Sequence, residues 1–269
     1  MYSVEGYIEW KGGAMRQKRN MRELVVPVVT LALLLLVWEL AVRLGAVPAY
    51  LLPGPSDVVR AFIADAPLLA THAGTTLLEA GLGLLIGVMV GFVFAVLMDR
   101  FETLYQAFGP IITVSQTIPT VALAPLLVLW FGYGLAPKVL LIVLTTFFPV
   151  TVSLVSGFRS VDPDVIDLMR TMNASNLQIF VYAKLPLAME QFFSGLRISA
   201  TYAIVGAVIA EWLGGFSGLG VYMTRVRKSF SYDSMFAVIT LISLLSLALM
   251  KGIDLLARAC MPWQRDGRE

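Results

Sequence analysis

Six stretches of this chain run for about twenty residues or more with few polar interruptions: roughly Leu24–Leu44, Ala73–Met98, Pro110–Trp130, Pro137–Gly157, Leu187–Leu213 and Met235–Ala257. That is the length an α-helix needs to cross a hydrocarbon core, where no water satisfies exposed backbone groups. The apolar residues continue around every face instead of alternating, which predicts helices and not strands. Pro110, Pro119 and Pro125 fall within the third stretch and Pro149 within the fourth; such prolines are tolerated where neighbouring helices re-satisfy the freed carbonyls. Pro119 frees the carbonyl of Ser115, and with Gln116 and Thr117 it makes a polar patch inside an apolar helix. That patch suits either helix packing or the wall of a translocation path. Gly83, Gly87 and Gly91 recur every fourth residue and form a small face for close helix contact.

Between the stretches the pattern changes. Pro55-Ser56-Asp57 followed by Val58, Val59, Ala61, Phe62 and Ile63 predicts a short amphipathic helix on the lipid interface, capped by Ser56 or Asp57. Residues 214–234 form another sizeable connection, whose Gly214-Gly215-Phe216-Ser217-Gly218-Leu219-Gly220 run must turn sharply. The first stretch follows Lys11, Arg16, Lys18, Arg19 and Arg22 as a signal peptide would, yet continues through Glu39 to Leu44 without an Ala-x-Ala cleavage site. It reads as an uncleaved span after a tail of residues 1–23, with Met15 and Met21 as alternative starts; a second tail covers residues 258–269. Lysines and arginines number 14 on the side holding both tails, Arg100 and the 159–197 region, against 6 on the other side, so both termini are expected in the cytoplasm. Arg225, Arg227 and Lys228 are a local exception on the outer side.

Composition narrows the class. Of 269 residues, 58% are hydrophobic and only 14% charged, against roughly 25% charged in soluble domains. The picture is an all-α integral membrane protein. A net charge of +2 without a basic stripe excludes nucleic acid as a partner. One cysteine, Cys260, and one histidine, His72, argue against a disulfide framework, a zinc site or a histidine-dependent triad. No cofactor or metal is expected. Asp162, Asp164 and Asp167 invite a divalent-metal reading, but no second acidic cluster exists and helix capping explains the first two. No Gly-Lys-Ser/Thr sequence occurs, so any ATP must be bound and hydrolysed by another subunit.

The stretch 160–186 is the most informative connection. Asp162 is placed as an N-cap, Pro163 as first helical residue, and Asp164 at the positive end of the dipole. Val165, Leu168, Met169 and Met172 share one face, expected to rest on the membrane domain; Asp164, Asp167 and Thr171 share the other. Asn173 suits a left-handed stop, Ser175 with Gln178 forms a capping box, and Pro186 interrupts the chain before the fifth span. Two short helices thus meet at an elbow that a soluble partner can grip.

In this stretch the sequence resembles the membrane permease subunits of binding-protein-dependent ABC importers. Their loop signature reads Glu-Ala-Ala, three residues, Gly, nine residues, Ile, one residue, Leu-Pro. The same register here gives Asp167-Leu168-Met169, Asn173, Ala183 and Leu185-Pro186, with Ala174-Ser175 after the turn and Gly195-Leu196-Arg197 beyond. Gln116-Thr117-Ile118-Pro119, Ala124-Pro125-Leu126, Trp130-Phe131-Gly132 and Ala210-Glu211-Trp212-Leu213-Gly214 through Gly220 look like the branch serving nitrate, sulfonate, taurine, thiamine-pyrimidine precursors and riboflavin. The resemblance spans about Leu51 to Trp263 and implies a type I importer permease. It also implies a separate ATP-binding subunit, an extracytoplasmic solute-binding protein and a permease homodimer. It assigns ATPase coupling to Asp164, Asp167, Leu168, Met169, Asn173, Ala174, Ser175, Leu185 and Pro186.

Glu79, Glu190, Arg197 and Glu211 lie within spans. Glu190 and Arg197, seven apart, are expected to pair on one face, while Glu79 and Glu211 are placed at the wetted outer interface. Ser115, Gln116, Thr117 and Glu211 are the candidates for the translocation path. The acids outnumber the one base, which favours an aromatic vitamin-precursor solute over an anion. The competing class, an ATP-independent secondary transporter, predicts inverted repeats or midplane acid pairs that the sequence does not display. A membrane enzyme lacks its residues.

Overall fold

The computed structural model describes residues 21–48 and 50–262. The two expected tails and their basic residues therefore fall largely outside it. The described residues form helices joined by short turns, with no strand among them. In chain order the helices are α1 (Met21–Arg43), α2 (Pro55–Ala64), α3 (Ala66–Arg100), α4 (Glu102–Ser115), α5 (Thr120–Phe131), α6 (Leu135–Arg159), α7 (Pro163–Thr171), α8 (Asn176–Ile179), α9 (Leu185–Gly214), α10 (Leu219–Lys228) and α11 (Tyr232–Cys260). Among the described residues five helices are long and apolar enough to cross a membrane, and a sixth span results if bent α4–α5 counts as one.

Helices α3, α6 and α9 form the centre. Between apolar helices in lipid no hydrophobic force operates, so close van der Waals packing through small residues must hold them. The glycine stripe of α3 supplies it: a Cβ at Gly83 would stand 2.4 Å from Ile142 Cβ, and one at Gly87 would stand 2.0 Å from Thr146 Oγ1. Ala80, Ala203 and Ala207 close on Ile142 and Ile204 at the three-helix contact. Around this centre, α11 packs Ile253 and Ala257 on Phe193 and Leu196 of α9. Helix α1 lies outside, its Val25–Leu40 surface largely exposed.

Several expectations change here. The third span is not one helix: α4 and α5 meet at 100° across residues 116–119. The residue before a proline avoids the α region, so the helix ends before Ile118-Pro119, and the Ser115 carbonyl freed by Pro119 accepts from Ile118 N at 3.2 Å. Helix α2 is capped by Gly54, not Ser56 or Asp57. Ser56 instead donates its hydroxyl and amide to Glu39 (2.8 and 3.1 Å), pinning α2 to α1. Pro186 does not interrupt the fifth span. One wide turn, Phe180–Lys184, joins α8 to α9 into a helical run from Asn176 to Gly214; widening the turn removes the need for the amide that proline lacks. Only the first half of the 160–186 stretch is therefore a separate short helix. Residues 219–228, expected as part of a turning loop, form α10, whose Leu219 and Tyr222 pack on Leu69 and Val238.

Candidate functional site

At one end of the bundle stands the elbow. Asp162 Oδ1 accepts from Asp164 N at 2.9 Å and starts α7. The helix stops as its backbone demands: Asn173 adopts φ 64, Ala174 N donates to Met169 O and Asn173 N to Arg170 O, each at 2.9 Å. This paired closure satisfies the last carbonyls. Ser175 and Gln178 then cap each other reciprocally. The apolar stripe does not lie on the membrane domain. Leu168 is 61% exposed and Met172 75%, with Val165, Leu177 and Tyr182 also turned outward. Ile166 and Met169 are the half-buried residues of α7. The bundle end beside it is filled by Phe158 against Phe180, two tilted rings with 5.3 Å between centroids. Asp164 is exposed, and Asp167 pairs with Arg170 at 3.2 Å. Leu185 and Pro186 stand apart from the elbow, inside the long helix.

The elbow is tied down from behind. Lys184 Nζ reaches Asp99 of α3 at 2.7 Å, flanking a groove of ≈ 720 Å³ that Ile166, Arg170 and Asn176 also line. Arg159, ending α6, makes two 3.2 Å bonds to Glu102 and lies 3.6 Å from the centre of the Tyr105 ring. These contacts join the two ends of the elbow segment to α3 and α4.

The α4–α5 break opens a cleft of ≈ 550 Å³. Ser115, Gln116 and Thr117 line it with Thr145, Phe148 and Tyr202, and none of its lining residues is charged. Glu211 is not among them. It is 1% exposed near the opposite end, and Glu79 is 2% exposed, so neither is wetted. Their environment is a polar cluster built by three helices. Lys138 Nζ bonds Glu79 Oε1 at 2.6 Å, both groups buried. Thr76 Oγ1 donates to Glu211 Oε1 at 2.7 Å. Three successive amides that begin α10 close the cluster: Gly218 N donates to His72 Nδ1 (3.0 Å), Leu219 N to Thr76 Oγ1 (2.9 Å) and Gly220 N to Glu211 Oε2 (2.6 Å). A helix begins with amides that have no intrahelical acceptor, and here α3 and α9 supply the acceptors. Tyr222 in α10 donates to Asp65; its burial and that carboxylate push its pKa up to about 12.

The sequence pointed to the elbow residues and to 115–117 but missed Lys138, His72, Thr76 and Lys184. Lys138, one of the six bases counted on the outer side, stands in the first turn of α6 and is buried against Glu79. Arg197 pairs with Asp254 of α11 and not with Glu190, which is exposed.

Residues 83–263 match the family of binding-protein-dependent transport system inner membrane components. The chain belongs to that family. A probable ABC transporter permease protein of Haemophilus influenzae is 40% identical over 86% of this chain and 94% of its own. The formylaminopyrimidine transport permease protein ThiX of Halalkalibacterium halodurans is 36% identical over 89% and 96%. The riboflavin transport system permease protein RibX of Chloroflexus aurantiacus is 34% identical over 88% and 89%. Among solved structures, an amino acid ABC transporter crystallised with histidines superposes with a TM-score of 0.60 at 19% identity, covering 73% of this chain and 96% of that one. The fold is that of type I importer permeases. This permease is thus a multi-pass membrane subunit of an ABC importer, a kind of subunit whose systems include an ATP-binding subunit and a solute-binding protein.

Proposed function

We propose that the permease carries a small neutral heteroaromatic solute into the cytoplasm by ATP-driven alternating access, working as a homodimer with both termini inside. The observation that carries the coupling step is α7, a helix with no buried residue and an outward apolar stripe. Such a helix gains little from its own chain, and an apolar stripe left in water calls for a partner surface. The partner, an ATP-binding subunit, shifts the inward–outward balance only by its differential contact with the elbow. Asp164, Asp167, Leu168, Met169, Asn173, Ala174 and Ser175 form that contact, while Leu185 and Pro186 pass the motion into α9. Lipid covers α1 and the exposed Val59 and Ile63 of α2.

The uncharged cleft at the α4–α5 break supports a neutral solute, since an anion such as a sulfonate is ordinarily met by a cation. The names of the 36% and 34% identical relatives, a pyrimidine and a flavin permease, lean the same way; the taurine permease of Escherichia coli is 30% identical. The test has two parts. Tagged permease purified from its own host should bring down a P-loop ATPase, identified by mass spectrometry, and Leu168→Asp should lose it while keeping the same gel-filtration profile. Uptake by cells carrying the whole system should then be competed by riboflavin or a formylaminopyrimidine and not by taurine. Retention of the ATPase by Leu168→Asp would remove the elbow from the coupling role.

A further inference from the structure

We infer that the buried cluster of Glu79, Lys138 and Glu211 is a proton-binding site, with one proton held between the two carboxyl groups. The inference rests on hydrogen-bond and charge accounting inside the bundle and does not depend on the transported solute. Glu79, Lys138 and Glu211 are 2%, 5% and 1% exposed. Three of the four carboxyl oxygens are served: Glu79 Oε1 by Lys138 Nζ, Glu211 Oε1 by Thr76 Oγ1, and Glu211 Oε2 by Gly220 N. The fourth, Glu79 Oε2, is buried without a partner. Thr76 stands three residues before Glu79 on the buried face of α3 and bonds Glu211 Oε1, which brings the Glu211 carboxyl to the same side of α3 as Glu79. An ionised carboxylate only accepts, so an ionised Glu211 offers Glu79 Oε2 no donor; one proton shared between the two groups supplies it.

Charge points the same way. Two carboxylates and one ammonium leave an uncompensated negative charge, and burying an unpaired charge is far costlier than burying the neutral acid. The facing groups on every packed element are few. Helix α3 adds His72, whose Nδ1 already accepts from Gly218 N; α6 contributes Lys138; α10 contributes Arg225, exposed at the surface. A metal cation is a poorer fit, because a single free oxygen remains where a cation needs several. The proton also has a structural consequence: it lets Glu211 stay buried and keep its bond to Gly220, so the α10 latch persists.

Infrared spectroscopy of the full chain in lipid tests this. At neutral pH the protein should show the carbonyl stretch of a protonated carboxylic acid, slow to shift in D2O because the group is buried. Glu79→Gln and Glu211→Gln should each abolish it, and the exposed control Glu190→Gln should leave it in place. Glu211→Gln, an isostere of the protonated acid, should melt near the wild type, since its amide serves Glu79 Oε2, its carbonyl accepts from Gly220, and Thr76 Oγ1 keeps His72 O as the acceptor of its proton. A wild-type spectrum without the slow band, or a band that survives in both variants, overturns the proposal. So does a sodium-dependent gain in wild-type Tm that Glu79→Gln removes, because a cation then fills the place of the proton. Where a variant does not accumulate, the wild-type band and its exchange rate decide alone.

Discussion

Gly218 sits at φ +119 and ψ 165, a region open in practice to glycine alone. A Cβ there would also stand 2.1 Å from the Glu211 carboxyl, and one at Gly220 would stand 2.3 Å from Val208 O. The first prediction follows at this scale: Gly218→Ala should lower stability by about 1–3 kcal/mol from backbone strain, more if Glu211 is displaced, read as a fall in Tm in detergent. An unchanged Tm would show that the latch forms differently. The acids of the spans were visible in the sequence as costly residues, but their partners were not. Lys138 and Glu79 are 59 residues apart and Arg197 and Asp254 are 57 apart. Spacing along one helix suggested Glu190 with Arg197; helix rotation in the bundle turned Glu190 outward. Pairing between helices depends on which faces meet, and no local pattern encodes that.

At the scale of elements, local chemistry was readable. Asp162, Pro163, Asn173, Ser175 and Gln178 stand where their backbone preferences put them, because capping is settled within a few residues. Asn173 makes the second prediction. Asn173→Gly should keep the protection of α7 amides in hydrogen exchange, whereas Asn173→Val should lose about 1–2 kcal/mol of it, the cost of a left-handed residue with an ordinary side chain. Equal protection in both variants would mean that the stop is held from outside the elbow. The two proline effects show where local reading fell short. Pro119 ended a helix expected to run on, while Pro186 was absorbed by a helix expected to break. The difference lies in surroundings: Phe180 and Ala183 of the wide turn are held against Phe158 and the bundle, whereas Ile118 at the break is 47% exposed.

For the molecule as a whole, the elbow and the α10 turn lie at opposite ends of the central α3–α6–α9 bundle. The third prediction concerns orientation. In a Cys260→Ser background, Phe230→Cys should react with a membrane-impermeant maleimide in intact cells, and Leu177→Cys only after lysis; both parent residues are exposed. The reverse pattern would invert the topology proposed from the lysine and arginine bias. Hydrophobic run length, capping residues and the glycine stripe were enough, without coordinates, to determine an all-helical membrane chain and the elbow's outline. Each of those rests on forces acting within a turn or two of helix or on the fixed thickness of a bilayer. Only the tertiary structure decided that the α7 stripe faces outward, that α4 and α5 part at a right angle, and that two carboxyls share one buried cluster with Lys138. Those outcomes depend on how helices distant in sequence rotate to bring their small and polar faces together, a choice made by packing.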